Sequence, residues 1–296
     1  MLSIRNILFL IVLSFIFFFS SLIIPFAGII ILPFSSISII VLLIKYGIFA
    51  GLAGIVLSSI VIYKLTSFGY ILLSFFLLLV AMNSIILSFG ILKKINAWKI
   101  IFESCLLTNL FLIIGLLAIN LSGFQLTWAL ESVISGLPKD LSNTVLTILT
   151  KNIYAISTIF ITTNIFLSYI FLSLISKRYE IPIKKLPPFE KWKLPEQTIF
   201  FLIFSMLFYG ISIKMKYNIP SQIFENILYV IFFLYFMQGL SISKYFLNKQ
   251  SFLLIIIYIL FVFYPPLSIF LGIVDIWLNF RTKGDSKNED YLKKGS

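Results

Sequence analysis

Long apolar runs separated by short polar connections organise this sequence. The runs fall at 7–24, 28–44, 47–63, 69–91, 100–120, 153–176, 198–213, 222–243 and 251–280. Most approach the roughly 20 residues that a helix needs to cross a hydrocarbon core of about 30 Å. Backbone groups in hydrocarbon must be satisfied internally, which leaves helices or closed barrels. Within the runs, apolar residues follow one another without the strict alternation of a barrel strand, so helices are predicted. The expected fold is an all-α integral membrane protein, a polytopic helical bundle. A six-helix transmembrane block spans 1–176 and a polar linker 177–197. A C-terminal transmembrane block follows at 198–281, then a polar, disordered tail at 282–296.

The breaks carry their own signals. Pro25 and Pro33 predict a tight, irregular connection into the second run, because proline lacks an N–H and restricts the residue before it. The long connection 121–152 holds Leu126, Leu130, Val133 and Leu137 at helical spacing, with Gln125, Thr127, Glu131 and Ser132 elsewhere on the wheel and Trp128 beside them. That pattern fits a short amphipathic helix on the membrane surface, or a lid over the bundle, ended by Gly136 and Pro138. Pro265–Pro266 divides the last run into two pieces too short to span. The expectation is therefore eight full spans followed by a broken, re-entrant or shallow hairpin, with nine spans as the alternative.

Charge then orients the chain. There are 23 Lys and Arg against 11 Asp and Glu, a formal net charge of +12. The basic residues sit in the connections, which points to a membrane surface and not to nucleic acid. The linker carries Lys177, Arg178, Lys184, Lys185, Lys191 and Lys193. With a cytoplasmic N-terminus, six spans place that linker inside together with Lys93, Lys94 and Lys99. A terminal hairpin keeps Arg281, Lys283, Lys287, Lys293 and Lys294 on the same side, whereas nine spans would export them. The first apolar run has no small-residue cleavage site after it and reads as an uncleaved span. The expected location is the inner (plasma) membrane of a bacterium, with N-terminus and linker cytoplasmic.

Composition removes most chemistry. The chain is 60% hydrophobic, 17% aromatic and 11% charged, and its mean hydropathy is +1.08. It contains one cysteine, Cys105, and no histidine. Disulfides within the chain, zinc sites built from Cys and His, His general bases and Ser–His triads are thereby excluded. No P-loop, dinucleotide fingerprint or catalytic serine motif is present. We expect a protein that is not an enzyme and uses no cofactor or metal.

Polar groups inside the spans are the remaining candidates, because each is costly in hydrocarbon. Asn83, Glu103, Asn109, Asn164 and Gln238 are the candidate lining of a ligand cavity, with Asn120 at a helix end; interhelical hydrogen bonding is the plainer role for each. Glu103 stands four residues after Lys99 and can pair with it at the interface. Asp275, Trp277 and Arg281 form a candidate interfacial motif. Gly47, Gly51 and Gly54 open the third run as a small-residue face, suited to close packing within the bundle or to a partner subunit.

Two stretches together resemble a known family. Leu186-Pro187-Pro188-Phe189 with Trp192, Leu194, Pro195 and Glu196 is similar to the cytoplasmic linker of the YybS-like family of bacterial membrane proteins. Gly272 to Arg281 looks like that family's C-terminal signature, with Asn279 where the pattern carries a second acid. Lys45-Tyr46-Gly47 and Tyr235 to Gly239 extend the likeness. The six-helix part of that family is distantly similar to the substrate-binding subunits of energy-coupling-factor transporters, although their Ala-x-x-x-Ala face has no counterpart in 7–24. What the resemblance implies, together with the amides in the spans, is a small-molecule binding or transport subunit without its own ATPase. Its partners would be the lipid bilayer, an unidentified small molecule and a membrane partner subunit. The alternative is a non-transporting envelope scaffold that recruits partners through 177–197 and the third-helix glycines.

Overall fold

The structure is a computed structural model that describes residues 4–23, 25–65, 69–121, 139–247 and 250–281. Every regular element among these residues is helical. In chain order they are α1 (Ile4–Ile23), α2 (Pro25–Lys45), α3 (Ile48–Leu65) and α4 (Gly69–Phe76), then a π-helical turn (Leu77–Met82) that runs into α5 (Asn83–Leu92). Next come α6 (Ala97–Leu121), α7 (Lys139–Lys151), α8 (Ile153–Tyr179) and a 3₁₀ turn (Phe189–Lys191). The chain closes with α9 (Thr198–Lys214), α10 (Asn218–Leu247), α11 (Ser251–Phe263) and α12 (Pro265–Leu278).

Among the described residues, six helices are long and apolar enough to cross a membrane: Ile4–Ile23, Ala27–Lys45, Leu72–Leu92, Ala97–Leu116, Ile153–Tyr179 and Asn218–Leu247. Counting the bent pair α11–α12 as one span gives seven. The apolar stretches of α3 and α9, Ile48–Lys64 and Thr198–Lys214, are shorter; 17 residues at 1.5 Å each reach only about 26 Å. The chain breaks at Tyr264, where α11 and α12 meet at 106°. Pro265 and Pro266 occupy the first turn of α12, where the missing N–H costs nothing.

Two local expectations change. Pro33 lies inside α2 and does not interrupt it. Its ring leaves the Ile29 carbonyl without an i+4 donor, a loss that membrane helices tolerate when neighbours hold the backbone. Here α1 does so: Ser35 donates to the Ser14 carbonyl at 2.8 Å, and a Cβ at Gly28 would run into the Ser21 backbone. The connection 121–152 contains a helix, α7, directly after Pro138, a residue that can precede a helix as well as end one. The amphipathic stretch 126–137, Asn120's side chain and the tail from 282 lie outside the described residues.

The chain divides into two compact units, Met1–Thr150 with Ile156–Leu186, and Lys151–Ala155 with Pro187–Ser296. The core of the first gathers Phe18, Ile39, Ile40, Leu42, Phe76, Leu87, Ile100 and Tyr169, with side chains from α1, α2, α4, α5, α6 and α8. The second is smaller and centres on Leu202, Leu228, Ile231 and Tyr235. Outward-facing side chains are as apolar as inward ones: Phe9, Phe102, Leu174, Phe200 and Phe252 are all exposed. A water-soluble protein does not present such a surface, and a bilayer takes it without cost.

Residues 177–197 are ordered and divided between the units. Tyr169 donates its hydroxyl to the Lys184 carbonyl at 2.6 Å, and Ile181 is buried in the first core. From Pro187 onward the strand is held in the second unit. Ser241 of α10 donates to the carbonyls of Phe189 and Trp192, and the Leu194 N–H donates to Gln238 Oε1.

Candidate functional site

The first unit holds a cavity of about 210 Å³ lined by Phe18, Leu22, Gly28, Leu32, Phe75, Leu79 and Phe160 among others. These lie near the C-terminus of α1, in the N-terminal parts of α2 and α8, and in α4 and the π-helical turn after it, so the cavity sits toward one end of the helices. Apart from Ser21, its walls are apolar and aromatic.

One helical turn beyond each wall stands a buried polar residue. Ser14 lies four residues from Phe18, Ser36 four from Leu32, Asn83 four from Leu79 and Asn164 four from Phe160; all four are at most 1% exposed. For Ser14 and Ser36 the step runs the same way, because α1 is antiparallel to α2, as the Ser14–Ser35 and Ser21–Gly28 approaches show. None of the four lines the cavity itself.

Leu79 lines the cavity, and its carbonyl accepts from Asn164 Nδ2 at 2.9 Å, from Asn83 Nδ2 at 3.3 Å and from Ser36 Oγ at 3.5 Å. The π-helical turn makes this arrangement. The Asn83 backbone N–H goes to Val80 O, so it does not compete for Leu79 O. Such turns inside α-helices recur at functional sites. Ser84 completes the group with hydrogen bonds to Ser36 O at 3.0 Å and Val80 O at 2.6 Å. The other end of each amide is unsatisfied: Asn83 Oδ1 and Asn164 Oδ1 are buried without a hydrogen-bond partner.

The remaining cavity candidates lie elsewhere. Asn109 donates to the Cys105 carbonyl one turn back at 2.7 Å, and half-exposed Glu103 faces Lys99 at 3.9 Å. Gln238 belongs to the second unit, where it meets Asp275.

Asp275 is fully buried. Its Oδ2 accepts from Gln238 Nε2 at 3.0 Å and lies 3.7 Å from Arg281 Nη2; its Oδ1 accepts the Phe280 N–H at 3.0 Å. Asn279 takes a left-handed conformation at φ 45°, which asparagine tolerates well, and accepts from Lys193 Nζ at 3.1 Å. The Asp275 carboxylate thus ties α10 and the end of α12 together from inside, whereas Trp277 is exposed. Two glycines permit the crossing: a Cβ at Gly239 would strike the Ser268 backbone, and one at Gly272 the Tyr235 carbonyl.

The third-helix glycines divide. Gly51 and Gly54 face Leu43 and Leu42 of α2, while Gly47 has open space around it and a φ of 92°, so it makes the turn and does not pack. Sequence reasoning missed a further cluster in the second unit. Lys151 pairs with Glu225 at 2.7 Å, and Asn226 and Gln222 both donate to the Lys151 carbonyl. The hydrogen bond that Lys151 donates to Glu225 raises the Lys151 pKa above its ordinary value. Only the spacing Gln222…Asn226 on one helix face could have signalled it. Among the described residues, no group of three or more His, Cys, Asp or Glu side chains comes together.

Residues 136–276 match the model of a family described as "Predicted membrane protein (DUF2232)". No curated protein and no solved structure matches the chain. The family description agrees with the helices and their apolar surface: this is a helical membrane protein with several apolar spans.

Proposed function

We propose that the first unit is the small-molecule binding part of a membrane binding or transport subunit that has no ATPase of its own. The observation that carries this reading is the cavity together with Asn83 and Asn164, which meet on the carbonyl of its lining residue Leu79, each with its Oδ1 unsatisfied. Buried polar atoms left open cost stability, and a ligand or water can satisfy them. The cavity's volume, equal to about seven waters at ~30 Å³ each, suits a molecule of one ring.

The scaffold reading has less to rest on. Gly51 and Gly54 already face side chains of α2, and Pro187–Gln197 is held by α10. The likeness to YybS-like proteins and, distantly, to energy-coupling-factor substrate subunits fits the binding reading. The protein would lie in a bacterial inner membrane with N-terminus and linker cytoplasmic. The cavity, near the C-terminal end of α1, then faces the outside.

The test is a thermal-unfolding screen of the detergent-purified protein against vitamins and other small metabolites. A ligand at 100 times its dissociation constant adds about 2.7 kcal/mol of stability. At least one compound should raise the midpoint by several degrees. A broad library without such a compound would contradict the reading.

A further inference from the structure

We infer that one end of the first unit is a binding surface for anionic phospholipids. Headgroup phosphates meet basic pairs held there by the fold, and acyl chains run along the exposed apolar side chains beside them. This is independent of the cavity and its ligand.

Helix direction gathers the charge. Lys45 Nζ stands 5.8 Å from the centre of the Tyr179 ring, so α2 and α8 end together. Because α1 is antiparallel to α2, Arg5 lies at that end as well. The direction of α5 is the same: Phe76 packs on Phe18 of α1, whereas Ser84 reaches Ser36, next to the Ser35 that pairs with Ser14. The turn after α5 and the start of α6 therefore belong to this end too. With exposed Arg5, Lys45 and Lys99 it displays three exposed pairs, Lys93–Lys94, Lys177–Arg178 and Lys184–Lys185. Its acids are Glu103 and Glu180. Among the described residues, only Lys99 of these cations is in an ion pair, 3.9 Å from Glu103.

The basic pairs are held in place. After α5, Lys94 takes a left-handed conformation, the Ile95 N–H returns to Gly90 O at 3.1 Å, and Ile95 packs on the core. After α8, Glu180 is left-handed, the Ile181 N–H returns to Ser176 O at 2.9 Å, and Ile181 is buried. Both are the 6→1 closure of a helix C-terminus with an apolar plug behind it. The Tyr169 hydroxyl then ties down the Lys184 carbonyl at 2.6 Å. Cations at helix C-termini also answer the helix dipole, which accounts for Lys93 and Lys177. It does not account for Lys184 and Lys185, which lie beyond any helix.

What stands beside the charge selects the partner. Lys93 adjoins exposed Leu92, Lys99 adjoins exposed Trp98, and Leu174 is exposed one turn before Lys177 and Arg178. A soluble phosphate or an acidic peptide would use the cations and leave this apolar rim bare. An anionic phospholipid uses both, since its phosphate and acyl chains are joined at the same spacing as the membrane interface itself.

The test gives the full chain, in neutral detergent, equal amounts of phosphatidylglycerol and phosphatidylcholine with identical acyl chains. Bound lipid is counted by native mass spectrometry. Phosphatidylglycerol should be retained about fivefold or more over phosphatidylcholine, and high salt should reduce that preference. Lys93→Gln/Lys94→Gln and Lys184→Gln/Lys185→Gln should each lower it at least twofold while the proteins still unfold cooperatively. These side chains are exposed, and the two double variants test the surface separately. Lys64→Gln, at the far end of α3, should leave the preference unchanged. Equal retention of the two lipids, or a preference untouched by both double variants, would overturn the inference. So would an equal loss in Lys64→Gln. Displacement of the lipid by glycerophosphoglycerol or by polyglutamate at matched concentration would overturn it in favour of a soluble phosphate or an acidic peptide.

Discussion

At the scale of single residues, the two buried centres make opposite predictions. The Asn83 amide contributes one hydrogen bond of 3.3 Å, to a carbonyl that keeps two other donors, and leaves Oδ1 unsatisfied. An unmade hydrogen bond at a buried polar atom costs about 1–3 kcal/mol. Asn83→Leu, similar in volume, should therefore raise the thermal midpoint or leave it unchanged. Stability yielding to activity is a general pattern at working sites, so this outcome is the one the binding proposal expects. Asp275→Ala should do the reverse. It strands the buried Arg281 guanidinium and frees the Phe280 N–H, and breaking a buried pair in this way costs about 3–5 kcal/mol. Denaturant titration in detergent would measure both. Asp275→Asn should be milder, because it keeps an acceptor for Phe280. The sequence showed Asn83, Asn164 and Asp275 as polar atoms where hydrocarbon is expected. It could not show which of them met: Asn83 and Asn164 lie far apart in the chain and share a carbonyl only through tertiary packing. Gln238 looked like a cavity residue and is the partner of Asp275.

At the scale of elements, apolar runs predict helices well, and boundaries agree within a few residues because the polar breaks and glycines that end them act locally. The bend at Tyr264 was legible from Pro265–Pro266. Pro33 was misread, since its tolerance depends on α1 lying alongside. The π-helical turn was invisible in Leu-Leu-Leu-Val-Ala-Met, as it arises from packing and not from residue type. It yields a sharp prediction. Deleting Leu77, an exposed residue within the turn, should restore regular α-helix and shift Leu79 relative to Asn83 and Asn164. The protein should remain helical by circular dichroism and lose ligand binding. At the α10–α12 crossing, Gly239→Ala should destabilise by about 1–3 kcal/mol, because the new methyl meets backbone that cannot step aside. Gly210, with open space around it on α9, serves as the control and should tolerate alanine.

At the scale of the molecule, the outward-facing apolar surface, the basic connections and the family match agree on a membrane protein. Among the described residues, six helices reach across a bilayer by length and hydropathy, and α3 and α9 fall about 4 Å short of a typical core of about 30 Å. Helices of that length can still span where the bilayer thins locally. The proposed side of each connection follows from where the basic residues fall. The same orientation gives the cavity its direction, since the ends of α1, α2, α4 and α8 that line it lie on the side opposite Arg5 and the start of the 177–197 linker. One measurement addresses cavity, function and orientation together: Phe160→Cys, in a background carrying Cys105→Ser, reacted with a membrane-impermeant maleimide in intact cells. The account predicts labelling from outside, slowed by any compound that stabilises the purified protein, with the buried-site variant Ile165→Cys unreactive. Labelling only after permeabilisation, or no labelling of the Phe160→Cys protein under either condition, would contradict an outward-opening binding cavity.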